Sequence, residues 1–492
     1  MAIAAAGIML LVAVWATLAD WRRVLLVAVP VALLQDPLRK LTPGEPVVYV
    51  VLVGVVFAAA ALAATKAGIS LSPRRIWGWG RYLTVPFGLF IAVVLFQAVR
   101  SFVDFGNVML PLIGMIAYLT PFFAVTLVYQ TILRGSPKIL TDFIRWYLVV
   151  SFLFLTTLYL EYIGYDWSVL GEVGEGIIIF DKVTGAKLSA YSGLFRSSEV
   201  AAWHAATWVC FFAIWIINRR ITLSKTVLAT SLVLVVVGLG IITGRRKFLL
   251  EIVIFASMYT ALLLYFARAA KLAVLASVCG LTGYLAFILF MPDTSTEVAL
   301  RDLHTSNLYT NYVSRTKGVF GDIPDRFTEL GLAPVTWAYN SYGLLGAGLG
   351  VGSQGTQHFG AVSQGAAEGG LGKIWLEVGA PGFIIIAWLG WAMVRHIWRI
   401  LNFVSRRSKP LSRISCGLTS FLVANLATFA VATQIYGDMF VLLLLGTALG
   451  SLMAMPVLAE RIVLQKWSQS LTPNVRDLAV TEIGPALLAG NR

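Results

Sequence analysis

Uninterrupted apolar runs of about 20 residues recur along the whole of this chain, and that repetition limits the possible folds more than any other feature. Each run is long enough to cross ~30 Å of hydrocarbon as a helix, where a segment must satisfy its own backbone polar groups. The clearest cover 46–65, 82–98, 107–133, 143–162, 197–217, 224–243, 248–266, 272–290, 374–393, 414–432 and 439–458. Residues 1–19 and 23–35 add two more, the second short and holding Pro30, which reads as a half-span. No basic stretch precedes the first run, so it reads as a span rather than a cleaved signal peptide. With a mean hydropathy of +0.82 and only 13% charged residues, a soluble domain is excluded. The expected fold is an all-α polytopic integral membrane protein with roughly 12 or 13 crossings. One transmembrane domain spans 1–458, with extracytoplasmic loops at 163–196 and 291–373, and a cytoplasmic C-terminal tail covers 459–492. No internal repeat is visible.

The formal charge of +14 does not point to nucleic acid, because the basic residues fall in short loops between runs, where topology requires them. Residues 66–81 carry Lys66, Arg74, Arg75 and Arg81 without an acid, and 394–413 carry Arg395, Arg399, Arg406, Arg407, Lys409 and Arg413 without one. Both loops should face the cytoplasm, and counting spans from either places 163–196, 244–247 and 291–373 outside. The acids of the first outer loop (Asp166, Glu172, Glu175, Asp181) fit that side. One cluster dissents. Gly244-Arg245-Arg246-Lys247 joins two apolar runs at the outer face, unless those runs form a re-entrant pair. Basic residues held there against the usual rule call for an anionic partner. Cys210, Cys279 and Cys416 lie in or beside apolar runs, with no metal-ligand spacing and no expected disulfide, and no metal or cofactor is expected.

Three outer segments could build one site. In Gly193-Leu194-Phe195-Arg196-Ser197-Ser198-Glu199, a serine can cap the following helix with Arg196 at its outer end, or Arg196 and Glu199 can form a rim ion pair. In the 244–247 link, Arg245 and Arg246 offer forked donors to phosphate oxygens, or they snorkel to lipid headgroups. Lys247 and Glu251 are four apart and are expected to pair. The long loop supplies Arg315, Lys317 and Arg326, aromatics such as Trp337, Tyr339 and Tyr342 that could stack on sugars, and a run of glycines over 343–352. Such glycines let the backbone approach a ligand or pack on a helix. His358 and Glu368 are its titratable candidates, a carboxylate at a helix mouth being suited to take a proton or to cap the helix. Within the spans, His204 and Glu377 read as interior hydrogen-bonding groups, while Asn425, Gln434 and Asp438 lie where they could line the same outer cavity.

The order of these motifs resembles the O-antigen ligase and O-antigen (exopolysaccharide) polymerase superfamily of bacterial membrane glycosyltransferases. The resemblance covers roughly 190–440 and rests on the turn ending in Arg196, the Thr243-Gly244-Arg245-Arg246 link, the Gly-x-Gly-x-Gly of Gly346 to Gly350, and Glu377-Val378-Gly379-Ala380-Pro381-Gly382. It implies a C-type glycosyltransferase-like fold and a metal-independent, inverting transfer from a polyprenyl-diphosphate-linked saccharide to an acceptor glycan at the outer face of the bacterial inner (cytoplasmic) membrane. Outer arginines would hold the diphosphate, which suits Arg196, Arg245 and Arg246 with Arg315 or Arg326. A chain-length regulator is an open candidate partner. One departure stands out: the family commonly has His-Asn upstream of the Glu-x-Gly element, where this chain reads Ala367-Glu368-Gly369. Glu368 or His358 would then be the catalytic base, which favours polymerisation over ligation to a lipid acceptor. A lipid-linked glycan flippase or transporter is the alternative from another class; it would concentrate charge near the midplane, often in repeated halves.

Overall fold

The structure is a computed structural model that describes residues 2–136, 138–173, 178–180, 187–219, 222–245, 247–268, 327–353 and 369–470. The chain is a polytopic helical membrane protein: among the described residues, eleven helices are long and apolar enough to cross a bilayer. In chain order the α-helices are α1 (Ala2–Ala19), α2 (Val24–Lys40), α3 (Leu52–Lys66), α4 (Arg81–Phe105), α5 (Met109–Arg134), α6 (Ile139–Tyr162) and α7 (Ser198–Ile216). There follow α8 (Leu223–Ile242), α9 (Lys247–Tyr265), α10 (Ala333–Tyr342), α11 (Gly370–Ser405), α12 (Lys409–Val431) and α13 (Met439–Ser470). Inside the 163–196 loop, β1 (Ile178–Phe180) and β2 (Lys187–Ser189) pair antiparallel, Ile179 opposite Leu188. The expected span 272–290 lies outside the described residues.

Two elements differ from the sequence expectation in length. The half-span expected over 23–35 is the longer helix α2, which contains Pro30 and Pro37 and continues through Asp36, Arg39 and Lys40. Its ring-bearing residues do not end it, because neighbouring helices hold this largely buried segment in place. At the other extreme, α13 runs past 458 to Ser470, so the last crossing and the start of the tail are one helix.

The helices join end to end in a way that gathers the two strongly basic loops together. Tyr82 Oη and His396 Nδ1 lie 2.7 Å apart, and Asn218 donates to the Pro410 carbonyl at 3.0 Å. Arg461 donates to the Leu133 carbonyl at 2.7 Å, so the 66–81 and 394–413 segments share one end of the bundle with the α5–α6 and α7–α8 connections. The centre of the bundle is α13 against α5, where Gly446 and Gly450 lie against the Pro121 and Val125 carbonyls and let the two backbones approach.

At the opposite end, α11 breaks at Gly379 (φ 66°, ψ −174°), within the Gly-Ala-Pro-Gly element where the sequence expected a break. The glycine-rich segment 343–352 packs into the gap beside that break. Ala347 N–H donates to the Leu376 carbonyl at 2.6 Å, and the Gln97 amide on α4 donates to the carbonyls of Leu345 (3.0 Å) and Val378 (3.3 Å). Carbonyls freed by the broken helix thus find partners. Of the two roles open to these glycines, close packing on helices is the one realised. Gly350 is at φ 85°, and a Cβ there would overlap the Leu110 carbonyl. Gly350→Ala is expected to lower the unfolding midpoint in detergent, with strain of about 1–3 kcal/mol from the backbone conformation before the overlap is added; an unchanged midpoint would contradict this packing.

Candidate functional site

The turn before α7 is held by its neighbours. Glu161 accepts the N–H groups of Ser192 (2.9 Å) and Gly193 (2.5 Å), and Thr157 Oγ1 accepts that of Leu194 (2.9 Å). From the last turn of α2, Lys40 Nζ donates to the Gly193 carbonyl at 2.7 Å and Asp36 accepts the Arg196 N–H at 3.1 Å. Ser197 caps α7 by accepting the Val200 N–H at 3.4 Å. Phe195 is buried on the ring of His204 at 4.9 Å, and His204 meets Tyr147 Oη at 2.8 Å, the interior role expected of it. This anchoring fixes where Arg196 can reach.

Arg196 Nη1 lies 2.6 Å from Asp438 Oδ2. The other oxygen of Asp438 accepts the N–H groups of Phe440 (2.7 Å) and Val441 (3.0 Å), capping α13. Burial works against the Arg196 charge, but the Asp438 and Asp36 carboxylates outweigh it and hold its pKa above the ordinary arginine value. Arg245 comes from the α8–α9 link. Its Nη1 lies 3.1 Å from Glu199 Oε1 and its Nε donates to Ser198 Oγ at 2.9 Å, while Nη2 is buried without a hydrogen-bond partner among the described residues. Lys247 Nζ lies 4.0 Å from the same Glu199 oxygen, and the Gln434 amide nitrogen, once the amide is oriented for it, donates to that carboxylate.

The ion pairs therefore cross between helices instead of following helical spacing. Arg196 pairs with Asp438 and not with Glu199, whose partner is Arg245. Lys247 does not pair with Glu251, which is buried and accepts from Asn425 Nδ2 at 3.0 Å. Asn425 Oδ1 in turn accepts from Trp203 Nε1 (2.8 Å) and Tyr436 Oη (3.2 Å). A helix-surface pair in water gains little, whereas these groups are shielded and seek the partner that satisfies most donors.

Two cavities open on this cluster and share Glu199, Gln434 and Ile435 as a wall. One, of about 190 Å³, is lined by Arg39, Arg196 and Ser197 with Val173 and Val200; the other, of about 30 Å³, by Arg245, Lys247, Thr428 and the buried Glu251. Arg196 and Arg245, both sequence candidates, thus meet at one end of the bundle, and Gln434 and Asp438 join them. Arg246, Arg315, Arg326, His358 and Glu368 lie outside the described residues. Glu377 is fully buried and accepts the Gly352 N–H at 3.0 Å. Trp337 packs on Tyr342 and Tyr339 on Trp375. The sequence reading missed Asp36, Arg39 and Lys40, because the apolar run ends before them and Pro37 reads as a stop. Basic residues in a helix's last turn were the available signal.

No family model and no curated protein matches this chain.

Asp438 both caps α13 and neutralises Arg196, so its loss should be felt twice. Asp438→Ala is expected to destabilise by about 3–5 kcal/mol, the usual penalty for stranding a buried ion partner. Removing both charges in Arg196→Met/Asp438→Asn should recover part of that. A double-mutant cycle on detergent-solubilised protein reads the coupling, and strictly additive effects would show the pair to be inert.

Proposed function

We propose that this chain is a membrane glycosyltransferase that moves a saccharide from a polyprenyl diphosphate to the hydroxyl of an acceptor glycan, extending an O-antigen or exopolysaccharide. One observation carries the reading: Arg196 and Arg245, from separate inter-helix turns, converge on a shared wall of Glu199 and Gln434 beside a cavity at one end of the bundle. The two acid-free basic loops at the other end support, by the positive-inside rule, an outer-face position for this end and a cytoplasmic C-terminus; the proposed membrane is the bacterial inner membrane. A lipid-borne diphosphate lies at the depth of helix ends, where these guanidinium groups are.

The chemistry asks little of the protein. The acceptor oxygen bonds to the anomeric carbon from the face opposite the leaving group, the bond from that carbon to the diphosphate oxygen breaks, and the acceptor proton passes to a base. Negative charge grows on the departing diphosphate. Each guanidinium carries five donors, so a carboxylate partner orients it and leaves donors over. Donors already placed in a shielded site favour the transition state without reorganising. Glu368 or His358 remains the proposed base.

A second reading, a transporter of lipid-linked glycan, draws on the broken α11 with fully buried Glu377 beside the break, since transporters build their sites from discontinuous helices. The two are separated by giving purified protein in liposomes a polyprenyl-diphosphate oligosaccharide without nucleotide or added metal. The enzyme is expected to yield a ladder of products and to lose roughly 100-fold or more in kcat/KM in Arg245→Ala. Glu368→Gln and His358→Gln identify the base. A single added unit on a lipid acceptor would indicate a ligase instead. Translocated but unextended donor would sink the enzyme and establish the transporter.

A further inference from the structure

Among the arginines that line the two cavities, Arg39 is in a different electrostatic position from the others. Arg196 has Asp438 at 2.6 Å and Arg245 has Glu199 at 3.1 Å. Arg39 has no carboxylate within ion-pair distance among the described residues; its Nε donates to the Glu45 backbone carbonyl at 2.9 Å. That bond pins the side chain and leaves both terminal amino groups without a described partner. Arg39 nevertheless shares the larger cavity with Arg196, and the one carboxylate in that cavity's wall among the described residues, Glu199, already serves Arg245 and has Lys247 at 4.0 Å. The cavity therefore holds two guanidinium groups, of which Arg196 has a carboxylate at ion-pair distance and Arg39 has the Asp36 and Glu45 carboxylates only further off. Like charges facing each other across a shielded space repel, and an anion between them turns that repulsion into binding.

We propose that Arg39 is a third ligand-binding arginine of the site, and that with Arg196 it takes the phosphoryl oxygens of a lipid-borne diphosphate in the Arg39–Arg196 cavity. The inference rests on the proposed function, and it adds α2 to a site that the sequence motifs drew from the turn before α7, the α8–α9 link and the 291–373 loop. The rest of the α2 terminus serves this placement: Asp36 holds the Arg196 backbone and Lys40 the Gly193 carbonyl, so Arg39 and Arg196 are mounted on one braced unit. The guanidinium group suits the task, because its planar fork matches two phosphoryl oxygens at once, which an ammonium cannot do. A basic residue in a helix's last turn also answers the helix dipole, and that effect alone would place Arg39 here without any ligand. Binding is what tells the two roles apart.

The same phosphoryl chemistry is offered by ordinary phospholipid headgroups, so the test has two probes. Farnesyl diphosphate is titrated onto full-length protein in a neutral detergent, with and without phosphatidylglycerol as competitor, for wild type, Arg39→Ala, Arg39→Lys, Arg196→Ala and Arg100→Ala. Arg100, paired with Asp104 at 3.4 Å at the same end of the bundle, controls for general loss of positive charge. Arg39→Ala is expected to weaken farnesyl diphosphate binding roughly tenfold or more, Arg39→Lys less, and Arg100→Ala not at all. Arg39→Lys also keeps a cation in the last turn, so its loss of affinity at an unchanged unfolding midpoint would not be a folding defect. If wild type binds, Arg196→Ala loses affinity and Arg39→Ala keeps it, Arg39 is a dipole and packing residue and the inference fails while the proposed function stands. If Arg39→Ala loses only phosphatidylglycerol competition, Arg39 is a headgroup anchor and the inference fails again. No saturable binding to wild type would sink the proposed function and this inference together.

Discussion

A guanidinium that sits among helix ends at the edge of a bilayer must bring its own counter-charge, because neither hydrocarbon nor neighbouring backbone can replace the water it loses. Much of the outer architecture follows from meeting that demand for Arg196. Its charge is answered by Asp438, its backbone by Asp36, and each acid belongs to a different helix terminus. Asp438 has two oxygens and uses both, one on the guanidinium and one on the free N–H groups that open α13. Three segments distant in sequence are thereby fixed at one point. The turn at Ser192–Arg196, with its N–H groups taken up by Glu161, Thr157 and Asp36, leaves the arginine little freedom to be elsewhere.

The same logic, repeated for Arg245, produces the wall shared by the two cavities. Glu199 is close to Arg245, Lys247 and the Gln434 amide at once, so it acts as the hub of the outer cluster. Beneath it, Glu251, Asn425, Trp203 and Tyr436 make a second polar layer inside the bundle. An anionic ligand arriving here would meet cations already oriented by carboxylates. Preorganisation of this kind is what a site needs if charge is to develop on a leaving group without the protein rearranging.

Much of the fold was legible because length and apolarity are enough to mark a crossing: ten of the eleven clearest runs fall on helices, and the break at Gly379 was readable from Gly-Ala-Pro-Gly. What escaped was the polar end of α2. Pro37 and the end of the apolar run at Gln35 are stop signals for an isolated helix, yet packing against neighbours carries this one on to Lys40. Single-chain spacing also paired the wrong charges. Arg196 with Glu199, and Lys247 with Glu251, stand at helical spacing in the sequence, but buried groups choose partners by desolvation and geometry across helices.

By itself the sequence determined the class of protein, the approximate placement of its crossings, and the candidacy of Arg196 and Arg245, since each depends on composition or on residues close together in the chain. Only the tertiary structure decided which acid meets which arginine, that Asp438 both caps α13 and neutralises Arg196, and that Arg39 faces the same cavity as Arg196. Those outcomes depend on how helix ends far apart in sequence come to lie side by side. A buried charge selects its partner from whatever that packing brings within reach.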